Sequence, residues 1–192
     1  LAGFPARAVD RDRVRELPQE EQEPRARRFE VARVVQDDVE SRVAAASLVY
    51  GPDGTRLGRY DKIHLFDVSV PGASESHRES AGMVPGREVV VVPTPAGRVG
   101  VAVCYDLRFP ELFRRMSEQG ADFFAVSAAF TVPTGEAHWQ LLLRARAVEN
   151  LCHLVASAQV GEHENGRRTY GHSALVDCWG RVVAELPDPK AI

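Results

Sequence analysis

The densest apolar run in the chain is Val99 to Val103, where Val99, Val101, Ala102 and Val103 give four apolar residues in five. A short β-branched run of this kind predicts a buried strand. Cys104 stands at its end, followed by the turn-like Tyr105-Asp106-Leu107-Arg108. Pro110 then opens a helix to about Gln119, with Leu112, Phe113 and Met116 as its apolar stripe, and Gly120 stops it. Phe123 to Ser127 is the next strand. Two strands joined through a helix require parallel pairing. A second helix is predicted from about Ala137 to Asn150, with Leu141, Leu142, Ala145 and Val148 as its apolar face and Arg144 and Arg146 directed elsewhere. Leu151 to Ala158 is strand-like, which completes β-α-β-α-β.

The flanking segments alternate on a shorter period. Val43 to Tyr50 and Thr55 to Tyr60 read as strands joined by Gly51-Pro52-Asp53-Gly54. Lys62-Ile63-His64-Leu65-Phe66 follows, and then a stretch to Arg87 rich in Gly, Pro and Ser with little periodicity. Loops of this length commonly line a cleft. Glu88 to Val92 is a further strand, and Thr94 to Arg98 turns the chain into the central run. Gly161 to Thr169 reads as a loop, and His172 to Val176 with Arg181 to Leu186 as a hairpin across Asp177 to Gly180. Arg11 to Asp38 is charged and poor in apolar residues, which predicts a solvated loop or one short polar helix. Residues 1–192 are expected to form a single α/β domain, with 11–40 as a polar, atypical segment.

Composition narrows the function class. The net charge is −3 with both signs interspersed, so no basic field points to nucleic acid. No apolar run approaches the roughly 18 to 20 residues of a membrane span. The three cysteines, Cys104, Cys152 and Cys178, lack metal-site spacing and are odd in number, which fits a reducing compartment and a cytoplasmic protein. His64, Asp67 and His77 are conceivable metal ligands, but their spacing matches no compact motif. The glycines sit singly at turns, with no phosphate-binding loop. Neither metal nor organic cofactor is expected.

A strand that breaks into a helix exposes its junction residue on a sharp bend beside orphan backbone N–H groups. Cys104 therefore reads either as a nucleophile or as one more buried small hydrophobe. By residue type alone, Lys62 reads as a strand-end surface lysine. His138, His163 and His172 are widely dispersed, and a Cys-His pair stays open on spacing alone.

The strings GRYDKIHLFD (58–67), VGVAVCYDLRFPEL (99–112), SAAFTVPTGEAHWQLLLRARAVEN (127–150) and YGHSALVDCWG (170–180) resemble the nitrilase superfamily of carbon-nitrogen hydrolases, in its Nit branch. Members of that branch act on deaminated glutathione or on ω-amides of 2-oxo acids. The resemblance spans about residues 41 to 186. It implies a four-layer α-β-β-α sandwich, here without its N-terminal strands and helices, assembled as a homodimer or larger homo-oligomer.

It also implies a Glu-Lys-Cys triad, with the lysine on Lys62 and the nucleophile on Cys104. A further glutamate of the family falls on Glu79, in His77-Arg78-Glu79-Ser80. The first triad glutamate, the general base, has no clear match. Leu17-Pro18-Gln19-Glu20 resembles its motif only loosely, and Leu1-Ala2-Gly3-Phe4 is similar to the strand that follows that motif in relatives. The base is therefore expected upstream of Leu1, with Glu20 or Glu21 as stand-ins.

The implied reaction is hydrolysis of a linear carboxamide to carboxylate and ammonia through a cysteinyl thioester, on a small-molecule amide of the deaminated-glutathione type. The ω-amidase, nitrilase and N-carbamoyl amide hydrolase reactions are alternatives within the same chemistry. The Tyr105 backbone N–H is expected to support the oxyanion. Arg108 is expected to pair either with a substrate carboxylate or with Glu111 or Asp106. Phe130 and Trp139 are expected to shape the substrate pocket or pack beneath it. The rival is a non-catalytic fragment or scaffold without the general base.

Overall fold

A computed structural model describes residues 30–35, 42–69, 76–164 and 166–186. The described residues begin with an antiparallel sheet in the order β1-β2-β3, formed by β1 (Glu30–Val35), β2 (Ala45–Tyr50) and β3 (Arg56–Asp61). Strand β1 corrects the expectation of a loop or polar helix at these six residues. Their local sequence EVARVV is β-branched, although the charged stretch around it masks this in the average composition. Strand β2 supplies an unbroken ladder from Glu30 opposite Tyr50 to Val35 opposite Ala45. The remaining residues of the polar segment lie outside the described ones. At the β2–β3 turn Asp53 accepts hydrogen bonds from the backbone N–H and hydroxyl of Thr55, at 3.0 and 2.9 Å.

The stretch expected to be irregular contains two short paired strands, β4 (Asp67–Ser69) and β5 (Ser76–Arg78), and a 3-10 turn at Glu79–Ala81. Next come β6 (Val91–Thr94), β7 (Gly97–Val103), a 3-10 turn at Cys104–Arg108, α1 (Pro110–Glu118), β8 (Phe123–Ala128), α2 (Val132–Asn150) and β9 (His153–Ala158). The segment read as a loop contributes the small ladder of β10 (Val160–Glu162) and β11 (Arg168–Tyr170). The hairpin of β12 (Ser173–Val176) and β13 (Val182–Leu186) forms as expected. The larger sheet runs β13-β12-β9-β8-β7-β6. Its centre, β7-β8-β9, is parallel and its edges are antiparallel, as β-α-β-α-β followed by a hairpin requires.

Both faces of β7 are covered, which is why its sequence is continuously apolar rather than alternating. Val99, Val101, Ala102 and Val103 have no exposed surface. Helices α1 and α2 pack on one side, and β2 and β3 of the smaller sheet lie against β7 and β6. The described residues thus supply three successive layers of an α/β sandwich: helices, six-stranded sheet, three-stranded sheet. Helix α1 buries Leu112, Phe113 and Met116 as read, with Phe113 edge-on to Phe124 at 5.1 Å between ring centres. No helix among the described residues is long and apolar enough to cross a membrane.

Helix α2 departs from its expected start and face. It begins at Val132, because Pro133 sits in the first turn, where its missing N–H costs nothing. Its buried face is Gly135, Trp139, Leu143, Arg146, Ala147 and Asn150, while Leu141 and Val148 are exposed. Arg146 is buried because its Nε donates to the Leu107 carbonyl at 3.0 Å, its Nη1 pairs with Glu149, and its guanidinium lies over Phe113. A face chosen by hydropathy missed a helix whose contacts use small and polar groups.

Gly135 lets α2 approach β11 closely, since a Cβ there would stand 2.2 Å from Tyr170 Cγ. Gly135→Ala would gain about 1 kcal/mol of helix propensity. It would lose about 1–3 kcal/mol to overpacking, so a net destabilisation is expected in urea unfolding. An unchanged or raised midpoint would show that Tyr170 yields freely.

Candidate functional site

At the end of β7 the backbone of Cys104 turns into the left-handed region, with φ at 51°. For a residue other than glycine this costs about 1–3 kcal/mol and persists only where the surroundings enforce it. Three features enforce it here. The five residues of β7 behind the cysteine, Val99 to Val103, are buried. The Asp106 carboxylate accepts the Val103 N–H at 2.9 Å, and the Phe109 N–H donates to the Asp106 carbonyl at 2.9 Å. Leu107, with no exposed surface, anchors the turn in the core. Cys104 itself is partly exposed.

Lys62 follows β3 directly. Its N–H donates to the Ala45 carbonyl at 2.8 Å and its carbonyl accepts from Gly86 at 2.9 Å, so its backbone is held on both sides. The side chain has no exposed surface, and its ammonium forms an ion pair with Glu79 Oε2. The same oxygen accepts the Phe66 N–H at 2.9 Å. This overturns the surface-lysine reading, because an ammonium removed from water requires a partner.

A cavity of about 300 Å³ opens beside these groups, ample for a small linear molecule. Cys104, Tyr105, Arg108, Glu79, Phe130 and Arg167 line it, together with Phe66, His77, Arg78, Met83, Ala129, Thr131 and Thr134. Lys62 reaches this wall through Glu79. The lining carries three guanidinium groups against the single carboxylate of Glu79, which Lys62 already neutralises. The space therefore favours anions.

Of the residues expected in the site, Cys104, Glu79, Tyr105, Arg108 and Phe130 share this wall. Arg108 pairs with neither Glu111 nor Asp106. Its Nη2 stands 3.2 Å from His138 Nδ1, and its guanidinium lies over the Phe130 and Tyr105 rings at 5.6 and 5.9 Å. Trp139 is corrected as a substrate contact. It has no exposed surface, supports Phe130 from behind at 4.9 Å between ring centres, and donates from Nε1 to the His172 carbonyl at 2.7 Å. Glu20, Glu21 and the Leu1 to Phe4 stretch lie outside the described residues.

Among the described residues no group of three or more His, Cys, Asp or Glu could hold a metal ion. Of the three conceivable ligands, His64 is engaged by Asp106 at 2.7 Å, Asp67 accepts the Ser80 N–H, and His77 is tilted against Phe66 in the cavity wall. His163 and His172 stand 3.0 Å from Thr169 and 2.7 Å from Glu185. Burial pushes the Cys152 thiol above its ordinary range, and it contacts the Ala121 carbonyl, away from the cavity.

Residues given no part in the site by the sequence reading also matter. Arg167 enters the wall from the loop before β11 and donates to the Ala129 carbonyl. Asp106 is fully buried and is approached by Tyr60 and His64, which flank Lys62 in sequence.

Removing the partner of a buried charge is costly. Glu79→Leu is expected to destabilise the fold by about 3–5 kcal/mol, and adding Lys62→Met to recover much of that loss, both measured by urea unfolding. A loss from Glu79→Leu below about 1 kcal/mol would mean that the ammonium has found water.

The described geometry coincides with a known family. Residues 31–191 match the family model for carbon-nitrogen hydrolases. Deaminated glutathione amidase of Yersinia enterocolitica is 50% identical over 146 residues, covering 76% of this chain and 51% of that protein. The Dictyostelium discoideum protein of the same name is 41% identical over 152 residues, covering 79% and 52%. Among solved structures, the Caenorhabditis elegans NitFhit protein superposes with a TM-score of 0.71 at 45% identity, over 76% of this chain and 35% of that one. Saccharomyces cerevisiae Nit3, a member of branch 10 of the nitrilase superfamily, superposes at 0.67 with 31% identity, over 78% and 55%. The chain spans about half the length of the curated relatives it matches. With its family model covering most of its length, the chain belongs to the carbon-nitrogen hydrolases, in the Nit branch of the nitrilase superfamily.

Proposed function

We propose that this protein hydrolyses a linear carboxamide that also carries a carboxylate, releasing ammonia by way of a thioester on Cys104. The observation that carries the reading is the strained, partly exposed Cys104 in a cavity whose Glu79 wall holds the buried Lys62 ammonium. An ordinary cysteine, near pKa 8.5, is only a few per cent thiolate at neutral pH, so a neighbouring cation and a base are needed to raise its nucleophilicity.

In this scheme the Cys104 sulfur attacks the amide carbon and the carbonyl electron pair moves onto oxygen. The Tyr105 N–H and the Lys62 charge stabilise that oxyanion. The intermediate collapses by expelling ammonia, which leaves with a proton, and the acyl group stays on sulfur. Water then adds to the thioester, releasing the acid and restoring the thiol. Glu79 is the one carboxylate in the described cavity wall and is committed to Lys62. The thiol proton goes to a carboxylate of the family's first-glutamate type, a group that the described cavity wall does not itself supply beyond Glu79.

Arg108 and Arg167 supply N–H donors that the substrate's own carboxylate accepts. Together with the relatives named deaminated glutathione amidase, this favours an amide of that type over an uncharged one. The protein also self-associates in this proposal. Leu141, Val148 and Trp179 are exposed, and Val148 lies against Gly180 beside the tryptophan, which gives an apolar strip for a second copy of the chain.

A mass-spectrometric panel including deaminated glutathione, 2-oxoglutaramate and a neutral aliphatic amide, with ammonia measured in parallel, tests the reaction. Cys104→Ala is expected to abolish ammonia release and the acyl mass increment on the Cys104 peptide. Wild-type-like turnover in that variant would end the mechanism, and no turnover of any amide by the wild type would favour the scaffold rival. Arg108→Leu is expected to raise KM for the anionic substrates about tenfold or more, from a charge-assisted bond of about 1.5–3 kcal/mol, while sparing the neutral amide. Sedimentation should show an assembly larger than one chain that Trp179→Lys disperses. A monomeric wild type would remove the proposed association.

A further inference from the structure

Four donors converge on the Asp106 carboxylate, which has no exposed surface. Its Oδ2 accepts the Val103 N–H at 2.9 Å and the Tyr60 hydroxyl at 2.7 Å. Its Oδ1 accepts the His64 N–H at 3.1 Å and stands 2.7 Å from His64 Nδ1. Burial and the neighbouring Asp106 charge push the Tyr60 hydroxyl far above its ordinary range, so it stays protonated as a donor. The Tyr60 oxygen also accepts the Ile63 N–H at 3.3 Å, which folds the segment around Lys62 back on itself.

Tyr60 and His64 lie two residues before and two residues after Lys62, while Val103 and Asp106 bracket Cys104. One carboxylate therefore joins the two segments that present the family's lysine and cysteine. The His64 ring strengthens the joint by stacking on Phe109 at 3.6 Å between ring centres, with the planes 8° apart. The lysine segment is also fixed at its far end, where Glu79 accepts from Phe66. With both ends tied, the position of the ammonium depends on Asp106.

We propose that Asp106 is a positioning residue that sets Lys62 against Cys104, with Tyr60 and His64 as its partners. The proposal rests on the reading that Lys62 and Cys104 act together on an amide. Asp106 touches neither substrate nor reacting atoms. It contributes by fixing a distance, and a misplacement of about 1 Å can cost about 100-fold in rate.

The test uses the full chain with two variants. Asp106→Asn keeps the size of the side chain but turns an amide NH₂ toward donors that need an acceptor, and Tyr60→Phe removes a single donor. Three readouts are taken: kcat and KM on the anionic amide, the rate of iodoacetamide labelling at Cys104, and labelling at the buried Cys152 as a gauge of global loosening. For Asp106→Asn, kcat is expected to fall about 100-fold, with KM within about threefold. Cys104 labelling should slow about tenfold while Cys152 stays protected. Losing a nearby negative charge would by itself favour the thiolate and quicken labelling, so slower labelling reports a displaced ammonium. Tyr60→Phe should move the same way by less, and it decides the matter if Asp106→Asn does not fold.

Unchanged kcat, labelling at Cys104 as fast as or faster than wild type, or a loss of activity matched by exposure of Cys152 would overturn the proposal. If the wild type labels at Cys104 but turns over no amide, the amidase reading fails by itself. The positioning role then stands or falls on the relative labelling rates.

Discussion

The rest of the site depends on a buried ammonium. Lys62 has no exposed surface on its side chain, and the effective penalty for taking such an ion out of water is several kcal/mol. Only an ionised, well-placed partner offsets it, and Glu79 is that partner. The carboxylate is itself fixed, since the oxygen that meets the ammonium also accepts the Phe66 N–H. Backbone fixes the residue that carries it: Ala45 and Gly86 bond to the Lys62 main chain, and a Cβ on Gly86 would stand 2.1 Å from the Asp61 carbonyl. The enclosure makes the charge costly to misplace, which is what a group meant to act at a fixed distance requires.

The fold sets the Glu79 partner of this charge in one cavity wall with a strained cysteine by bringing two strand ends together. Lys62 follows β3 of the smaller sheet and Cys104 follows β7 of the larger one, and the two sheets pack face to face through β2 against β7 and β3 against β6. The cavity lies at the carboxyl ends of the parallel strands, as is usual where such strands end together. Cys104 and Tyr105 come directly after β7, while Ala129, Phe130 and Thr131 come directly after β8. Strain at Cys104 is tolerable because the strand behind it is among the most deeply buried segments described. A less covered strand would relax the turn and let the sulfur withdraw.

Legibility in the sequence followed interaction range. Strand β7, the α1 stripe and the parallel crossover were readable because their periods are local and their burial is nearly uniform. The face of α2 was not, because Gly135, Arg146 and Asn150 pack by closeness and hydrogen bonding, which hydropathy does not register, while Leu141 and Val148 look buried and are exposed. Strand β1 was hidden by averaging over a charged neighbourhood. In the site, Cys104, Lys62 and Glu79 came from motif resemblance, whereas periodicity alone gave Cys104 two readings and Lys62 the wrong one. Asp106 was invisible as a hub because its partners Tyr60 and His64 are 46 and 42 residues distant, beyond any local pattern. Trp139 kept two readings, in the wall or beneath it, for a related reason: an aromatic one layer behind a cavity wall carries the same motif signature as one in it.

The electrostatics of the cavity also constrain what an amide must look like to be processed as proposed. Lys62 pairs with Glu79, and the wall also carries guanidinium groups, among them Arg108, four residues beyond the nucleophile. Along a 3-10 turn, at about 2 Å per residue, that offset is about 8 Å. In the proposed scheme a carboxylate held by Arg108 and an amide at Cys104 belong to one molecule that spans the wall between them. Short amides satisfy one end or the other but not both, and an uncharged chain of the right length leaves the guanidinium facing solvent and the rings beneath it. Discrimination in this scheme is a matter of span as much as of charge, because binding at the remote cation counts toward reaction only when it also delivers the carbonyl to sulfur.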